Sequence, residues 1–151
     1  MVRLVLVRQG AIHELRAFGR LAHKQAGREL RGVYSRSAAL QEADAKGHEV
    51  QIDQRGYDSI TNTEGHPLKV TGAIYDLQAP SGSTQVQVGA WNNYLIEANG
   101  PRIRVTLNGQ LVNDYQSARQ QIVQQTGYLA LQAHDSLSRT QFRKLQVQKL
   151  P

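Results

Sequence analysis

Hydrophobic and polar residues alternate most regularly in the second half of the chain. Arg102, Arg104 and Thr106 take turns with Ile103, Val105 and Leu107, the period of two that gives a strand one polar and one apolar face. Asn99-Gly100 and Asn108-Gly109 bracket this segment, and such pairs supply the positive-φ residues that tight hairpin turns need. Leu111-Val112 then opens a return strand. Further strand segments read at 84–88, 91–97, 127–133 and 141–150, with 47–53 and 72–75 ahead of them. Short strands at roughly ten-residue spacing predict an all-β sandwich or jelly roll. The N-terminal third is ambiguous: Ile12, Leu15, Phe18, Leu21 and Ala22 recur at helical spacing, yet Leu15, Ala17, Gly19 and Leu21 also alternate as a strand would. Residues 37–46 are rich in helix formers, with Ser37 placed to cap and Gly47 to stop, which predicts one short helix there.

Length and composition narrow the class. At 151 residues, with 40% hydrophobic and 20% charged residues, the chain reads as one ordinary folded domain over 1–151, without repeats or linkers. The longest strongly apolar run, Leu4 to Val7, falls far short of the ~20 residues of a membrane helix and of a signal-peptide core. The sequence therefore carries no membrane or export signal, and localisation stays open. The absence of cysteine excludes disulfides, thiolate metal sites and cysteine nucleophiles. The net charge of +6 is concentrated in residues 1–36, where Arg3, Arg8, Arg16, Arg20, Lys24, Arg28, Arg31 and Arg36 face only Glu14 and Glu29. Such a segment could hold an anionic polymer. No nucleic-acid motif or aromatic stacking run accompanies it, so a solvated basic face is the expectation and nucleic acid is not an expected partner.

Candidate chemistry gathers at two places. In Gly47-His48-Glu49-Val50-Gln51-Ile52-Asp53, a period of two puts Glu49, Gln51 and Asp53 on one face and Val50 and Ile52 on the other. Along such a strand Glu49 and Asp53 stand about 13 Å apart, beyond the ~5 to 9.5 Å of ordinary glycosidase carboxylate pairs. A catalytic partner must come from another strand. Gln132-Ala133-His134-Asp135 ends a predicted strand, and His134 is the acid/base candidate because its pKa lies near neutrality. His13, His23, His48 and His66 lack metal-ligand spacing, and no Asp-x-Asp-x-Asp loop is present. No cofactor is therefore predicted, and a divalent metal has no supporting motif. Phosphate-binding loops and a Gly-x-Ser-x-Gly elbow are also missing. Arg36, Tyr75 and the single tryptophan, Trp91, carry no signal individually.

In order along the chain, G-H-E-V-Q-I-D (47–53), T-G-A-I-Y-D-L-Q-A-P (71–80), W-N-N-Y-L-I-E-A-N-G (91–100), V-T-L-N-G-Q-L-V (105–112) and G-Y-L-A-L-Q-A-H-D with a trailing F-R-K-L-Q-V (127–147) resemble the 3-keto-disaccharide hydrolase domain family. The resemblance covers about residues 31–150. It implies a concanavalin-A-like jelly roll of two antiparallel sheets whose concave face is a carbohydrate cleft. It also implies cleavage of glycosides already oxidised to a ketone at carbon 3, by elimination and hydration, which needs a base, a proton donor and enolate stabilisation. The matching positions are Arg36, Glu49, Gln51, Asp53, Tyr75, Trp91, Gln132 and His134. Glu49 or Asp53 is then the base and His134 the donor to the departing oxygen. Arg36 and Gln51 bind the ketone or hydroxyls, Gln132 contributes to substrate binding, and Tyr75 and Trp91 shape the wall.

The chain departs from the family pattern at Leu30-Arg31-Gly32-Val33-Tyr34-Ser35-Arg36, where an Asn-Ser pair usually precedes Gly-Val-Tyr. Its opening segment is also shorter than the family norm. Either Val2 to Val7 and Glu14 to Leu21 supply substitute strands, or a sheet edge is left open, which would invite a homodimer. The resemblance suggests a periplasmic or secreted bacterial protein. The rival to the enzyme reading is a carbohydrate-binding jelly roll without turnover.

Overall fold

The computed structural model describes residues 5–12, 15–24, 32–37, 47–82, 84, 86–119, 127–132 and 139–149. Its regular elements are almost all strands: β1 (Val5–Ile12), β2 (Leu15–Lys24), β3 (Gly32–Ser37), β4 (His48–Gln51), β5 (Trp91–Asn99), β6 (Arg102–Leu107), β7 (Gln110–Gln116), β8 (Gly127–Leu131) and β9 (Arg139–Lys149). One turn of 3-10 helix covers Pro67–Lys69. The strands form two antiparallel sheets, a four-stranded one in the order β1-β8-β3-β4 and a five-stranded one in the order β7-β6-β5-β2-β9. Among the described residues no helix is long and apolar enough to cross a membrane.

The ambiguous opening segment is extended. It supplies a strand to each sheet, β1 against β8 and β2 between β5 and β9. Strand period wins over helical spacing in β2 because both of its edges find partners. Of the two alternatives for this segment, substitute strands are the one realised. Ser37 is the last residue of β3, and the rest of the predicted 37–46 helix lies outside the described residues. Of the predicted 84–88 strand, the described residues 84 and 86–88 are not in a strand and residue 85 lies outside the described residues, and 72–75 contributes only isolated bridges, Val50 with Ile74 and Ile74 with Gln78.

Alternation sets the faces. In β5, Asn92, Tyr94, Ile96 and Ala98 are buried, and in β6 Ile103, Val105 and Leu107 are. They meet Val33, Val50, Ile52, Ile74, Leu129 and Leu131 from the other side of the sandwich. Full burial of an aliphatic side chain is worth about 1.5–3 kcal/mol, so this layer between the sheets is the main source of stability. Polar ties span it. The Tyr94 hydroxyl donates to the Gln51 carbonyl at 3.1 Å, and burial pushes that phenol well above its ordinary pKa, opposed only by a backbone hydrogen bond with Gly72. His48 Nε2 meets Ser117 Oγ at 2.9 Å.

The β6–β7 turn has the geometry expected from its sequence, with Asn108 and Gly109 both at positive φ (50° and 85°). At the β5–β6 turn the register moves by one residue. Asn99 pairs with Arg102, and Gly100 (φ 49°) and Pro101 make the turn.

Candidate functional site

All four residues of β4 are buried, although β4 closes one side of its sheet. Residues 72–75 lie along its free edge. Gln51 N–H donates to the Ala73 carbonyl at 2.9 Å, Gly72 N–H to the Gln51 carbonyl at 3.0 Å and Tyr75 N–H to the Glu49 carbonyl at 3.0 Å. Glycine at position 72 is needed twice: its φ is +86°, and a Cβ would lie 3.0 Å from Val112 Cγ2. Asn113 of β7 holds the same segment, with Nδ2 donating to the Gly72 carbonyl and Oδ1 accepting from Gln78 Nε2.

This pairing determines which side chains meet. Val50 and Ile74 are bridge partners and both belong to the core, so the flanking pair Glu49 and Tyr75 is turned to the outer face of the four-stranded sheet. Residues placed this way have Cβ atoms about 4.5–5.5 Å apart. In register across the sheet, Glu49 is opposite Tyr34 of β3, and Tyr34 is opposite Ala130 of β8. Half-buried Gln132 follows β8 at an outer-face position by the alternation that buries Leu129 and Leu131.

Behind Tyr75 stands Lys69, 4% exposed. Its Nζ donates to the Tyr75 hydroxyl oxygen at 3.1 Å and pairs with Asp58 Oδ1 at 3.3 Å and Asp76 Oδ1 at 3.4 Å. It also lies 4.9 Å from the Tyr75 ring centroid. Burial works against the ammonium, yet the Tyr75 oxygen and the two carboxylates outweigh it and raise the Lys69 pKa. Burial is the main cause that raises the Tyr75 phenol, opposed by Lys69 and reinforced by the Asp76 and Glu49 carboxylates. Asp58 is held below the ordinary carboxylate range, first by the Ile60 N–H and, against desolvation, by Thr61 and Lys69. The chain segment carrying this group doubles back on itself, with backbone hydrogen bonds between 58 and 63, 55 and 65, and 56 and 66.

The expected site residues fare differently. Glu49 and Tyr75 come together, and Gln132 is on the same face. Gln51 shares the parity of Glu49 on β4 and is completely buried. Asp53 accepts from Arg55 N–H and Tyr57 N–H, one on each carboxylate oxygen, both at 2.9 Å. It therefore organises its own loop. Trp91 shares the outward parity of Asn93 in the five-stranded sheet, so the core separates it from Glu49. The Arg143 guanidinium lies 3.8 Å from its ring centroid, and the ring borders a groove of about 400 Å³ with Val86, Gln87, Asn108 and Gln110. Trp91 therefore does not wall the face that holds Glu49. Arg36 is on β3 two residues beyond Tyr34, and His134 lies outside the described residues.

Lys69 and Asp58 were not singled out from sequence. A usable signal existed, since Lys69 is the only charged Lys, Arg, Asp or Glu between Glu64 and Asp76, and a cation set among Leu68, Val70 and Ile74 needs a partner. Among the described residues no three His, Asp or Glu side chains converge as metal ligands.

Known proteins share this architecture. Two proteins of Parabacteroides distasonis ATCC 8503, each described as a "putative glycosyl hydrolase", superpose with a TM-score of 0.73. One is 20% identical over 91% of this chain and 80% of its own, the other 16% identical over 93% and 73%. The carbohydrate-binding module CBM66 from Bacillus subtilis aligns over 98% of this chain and 82% of its own, with a TM-score of 0.60 and 16% identity. At these identities the likeness defines the fold, a jelly-roll sandwich. No curated protein sequence matches the chain. A family model does, over residues 20–148, and the chain belongs to the 3-keto-alpha-glucoside-1,2-lyase-like domain family.

Proposed function

We propose that the protein cleaves glycosides carrying a ketone at sugar carbon 3, by elimination followed by hydration, on the outer face of the four-stranded sheet. The observation that carries this reading is the side-by-side placement of Glu49 and Tyr75 on that face, within a chain of the lyase-like family. The ketone acidifies the hydrogen on carbon 2. Glu49 takes that proton, the electron pair becomes the C1–C2 double bond, and the C1–O bond breaks. His134 protonates the departing oxygen. Water then adds its hydroxyl to carbon 1 and its hydrogen to carbon 2, so the sum is hydrolysis. Glu49 is favoured over Asp53 as base because it stands beside Tyr75 on the outer face, whereas Asp53 lies in the loop after β4 and ties it down. Arg36 and Gln132 bind sugar hydroxyls.

The test is aglycone release from 4-nitrophenyl 3-keto-α-glucoside. Wild type releases nitrophenol, and folded Glu49→Gln and His134→Ala are each slower by about 10²- to 10⁴-fold, the usual contribution of a general acid or base. Turnover left intact in both variants would refute the assignment. The second reading, a carbohydrate-binding jelly roll without turnover, is favoured by the alignment with CBM66 over nearly the whole chain. Saturable sugar binding by calorimetry with no release selects it.

A further inference from the structure

We infer that the Tyr75 hydroxyl is the hydrogen-bond donor to the ketone oxygen of the substrate, and that Lys69, held by Asp58 and Asp76, is the positioning residue that aims it. The inference rests on the cleavage reading above and assigns the group that stabilises the enolate.

The argument is one of donor and acceptor counting. An ammonium has three N–H donors and no acceptor. Lys69 has three oxygen partners, Tyr75 at 3.1 Å, Asp58 at 3.3 Å and Asp76 at 3.4 Å, so it has no proton to offer a sugar directly. Because the ammonium can only donate, the Tyr75 oxygen accepts, and the phenolic hydrogen points elsewhere. Tyr75 is half-buried, with its neighbour Glu49 on the outer face. A cation on the phenol oxygen strengthens its O–H as a donor. The neighbouring charges agree with this state: Asp58 and Asp76 keep Lys69 charged, while burial and the Asp76 and Glu49 carboxylates keep Tyr75 a neutral phenol.

The placement also suits the reaction. Carbon 2 and the ketone oxygen belong to adjacent atoms of one sugar ring, and Glu49 and Tyr75 are adjacent cross-strand positions. When Glu49 removes the carbon-2 proton, one negative charge passes from the carboxylate to the ketone oxygen. The site keeps its net charge, and the charge arrives where the Tyr75 O–H is pre-aimed.

The experiment uses the full chain and two reactions, nitrophenol release from 4-nitrophenyl 3-keto-α-glucoside and exchange of the carbon-2 hydrogen of 3-keto-1,5-anhydroglucitol, which bears only hydrogen beside the ring oxygen at carbon 1, with D2O, followed by NMR. The second reads enolisation without a leaving group. Tyr75→Phe is expected to lose about 10²- to 10³-fold in kcat, the usual effect of removing one oxyanion donor, with KM changed by less than about threefold and exchange slowed in parallel. Lys69→Met is expected to show the same split, with partial rescue by Lys69→Arg. Because Lys69→Met strands the buried Asp58 carboxylate, Lys69→Met/Asp58→Asn is made alongside. Its melting temperature should recover while its kcat stays low. Recovery of kcat together with stability would reduce Lys69 to a folding role and overturn its part of the inference. A wild type active in both reactions, with Tyr75→Phe within about twofold of it, would overturn the inference and leave the cleavage reading standing. A wild type inert in both would overturn the two together.

Discussion

At the residue scale the chain spends two buried carboxyl-bearing positions on its own architecture. Asp53 ties down the start of the loop that follows β4, and Asp58 shares one oxygen between the Ile60 N–H and Lys69. A carboxyl whose folded pKa lies below its unfolded value of 3.8 stabilises the fold above that value and loses the contribution as pH falls through the folded pKa. Asp58→Asn should therefore melt at a lower temperature than wild type at pH 7, and the gap should close as the pH is taken below 3.8 in a calorimetric series. A gap independent of pH would mean that Asp58 acts by packing alone. Lys69 has the opposite sign: its pKa is raised above 10.5, so its contribution is complete below that value and disappears only at more alkaline pH. The outward position of Glu49 was legible from alternation alone, because it needs only the period of its own strand. The setting of Lys69 was not, because its partners come from 58, 75 and 76. The outward parity of Trp91 could have been read from Asn93 and Glu97 against Tyr94 and Ile96.

At the element scale, the 53–76 excursion covers the edge of β4 and brings Tyr75 beside Glu49. Residues 72–75 cover the edge of β4, and the hairpin-like run 55–66 supports the short helix at Pro67–Lys69, where the His66 ring accepts from Leu68 N–H at 3.3 Å. Gly56 is where this excursion is tightest. Its φ is +61°, and a Cβ there would lie 2.7 Å from Val70 Cγ1 and 2.8 Å from the His66 carbonyl oxygen. Gly65 also has positive φ, +86°, but a Cβ there meets nothing within 4 Å. Gly65→Ala thus reports the conformational cost alone, and Gly56→Ala adds the clash. The expectation is a loss of about 1 kcal/mol for Gly65→Ala and about 2–4 kcal/mol for Gly56→Ala, or about 2–4 °C in Tm for each kcal/mol at this size. Equal losses would show that the backbone opens to accept the new methyl group. Local turn chemistry such as Asn108-Gly109 can be read directly from sequence. The one-residue shift to Gly100-Pro101 could not, since it depends on which residues of β5 and β6 pair.

At the scale of the whole molecule, β1 and β2 are consecutive in sequence and belong to different sheets. Periodicity could not assign 15–24 because what makes it a strand is non-local: β5 on one side and β9 on the other, more than sixty residues away in sequence. The jelly-roll class was legible in the regular spacing of strands and turns, whereas the strand order was not. The two opening strands should therefore differ sharply in what they tolerate. Proline removes a ladder donor and fits poorly inside a central strand. Ala17 is flanked on both sides, by Ile96 and Val147, so Ala17→Pro breaks the five-stranded sheet between its two halves. Gly10 lies on edge strand β1, inside the irregular stretch between Val7 and Ile12. Gly10→Pro is expected to lower the melting temperature by a few degrees, about 1–2 kcal/mol, with a cooperative transition retained by circular dichroism. Ala17→Pro should yield insoluble protein or a chain without a transition, since it exposes the inner edges of β5 and β9 to pairing with other copies. If Ala17→Pro melted cooperatively and within a few degrees of wild type, β2 would not be the central strand that joins the sheet.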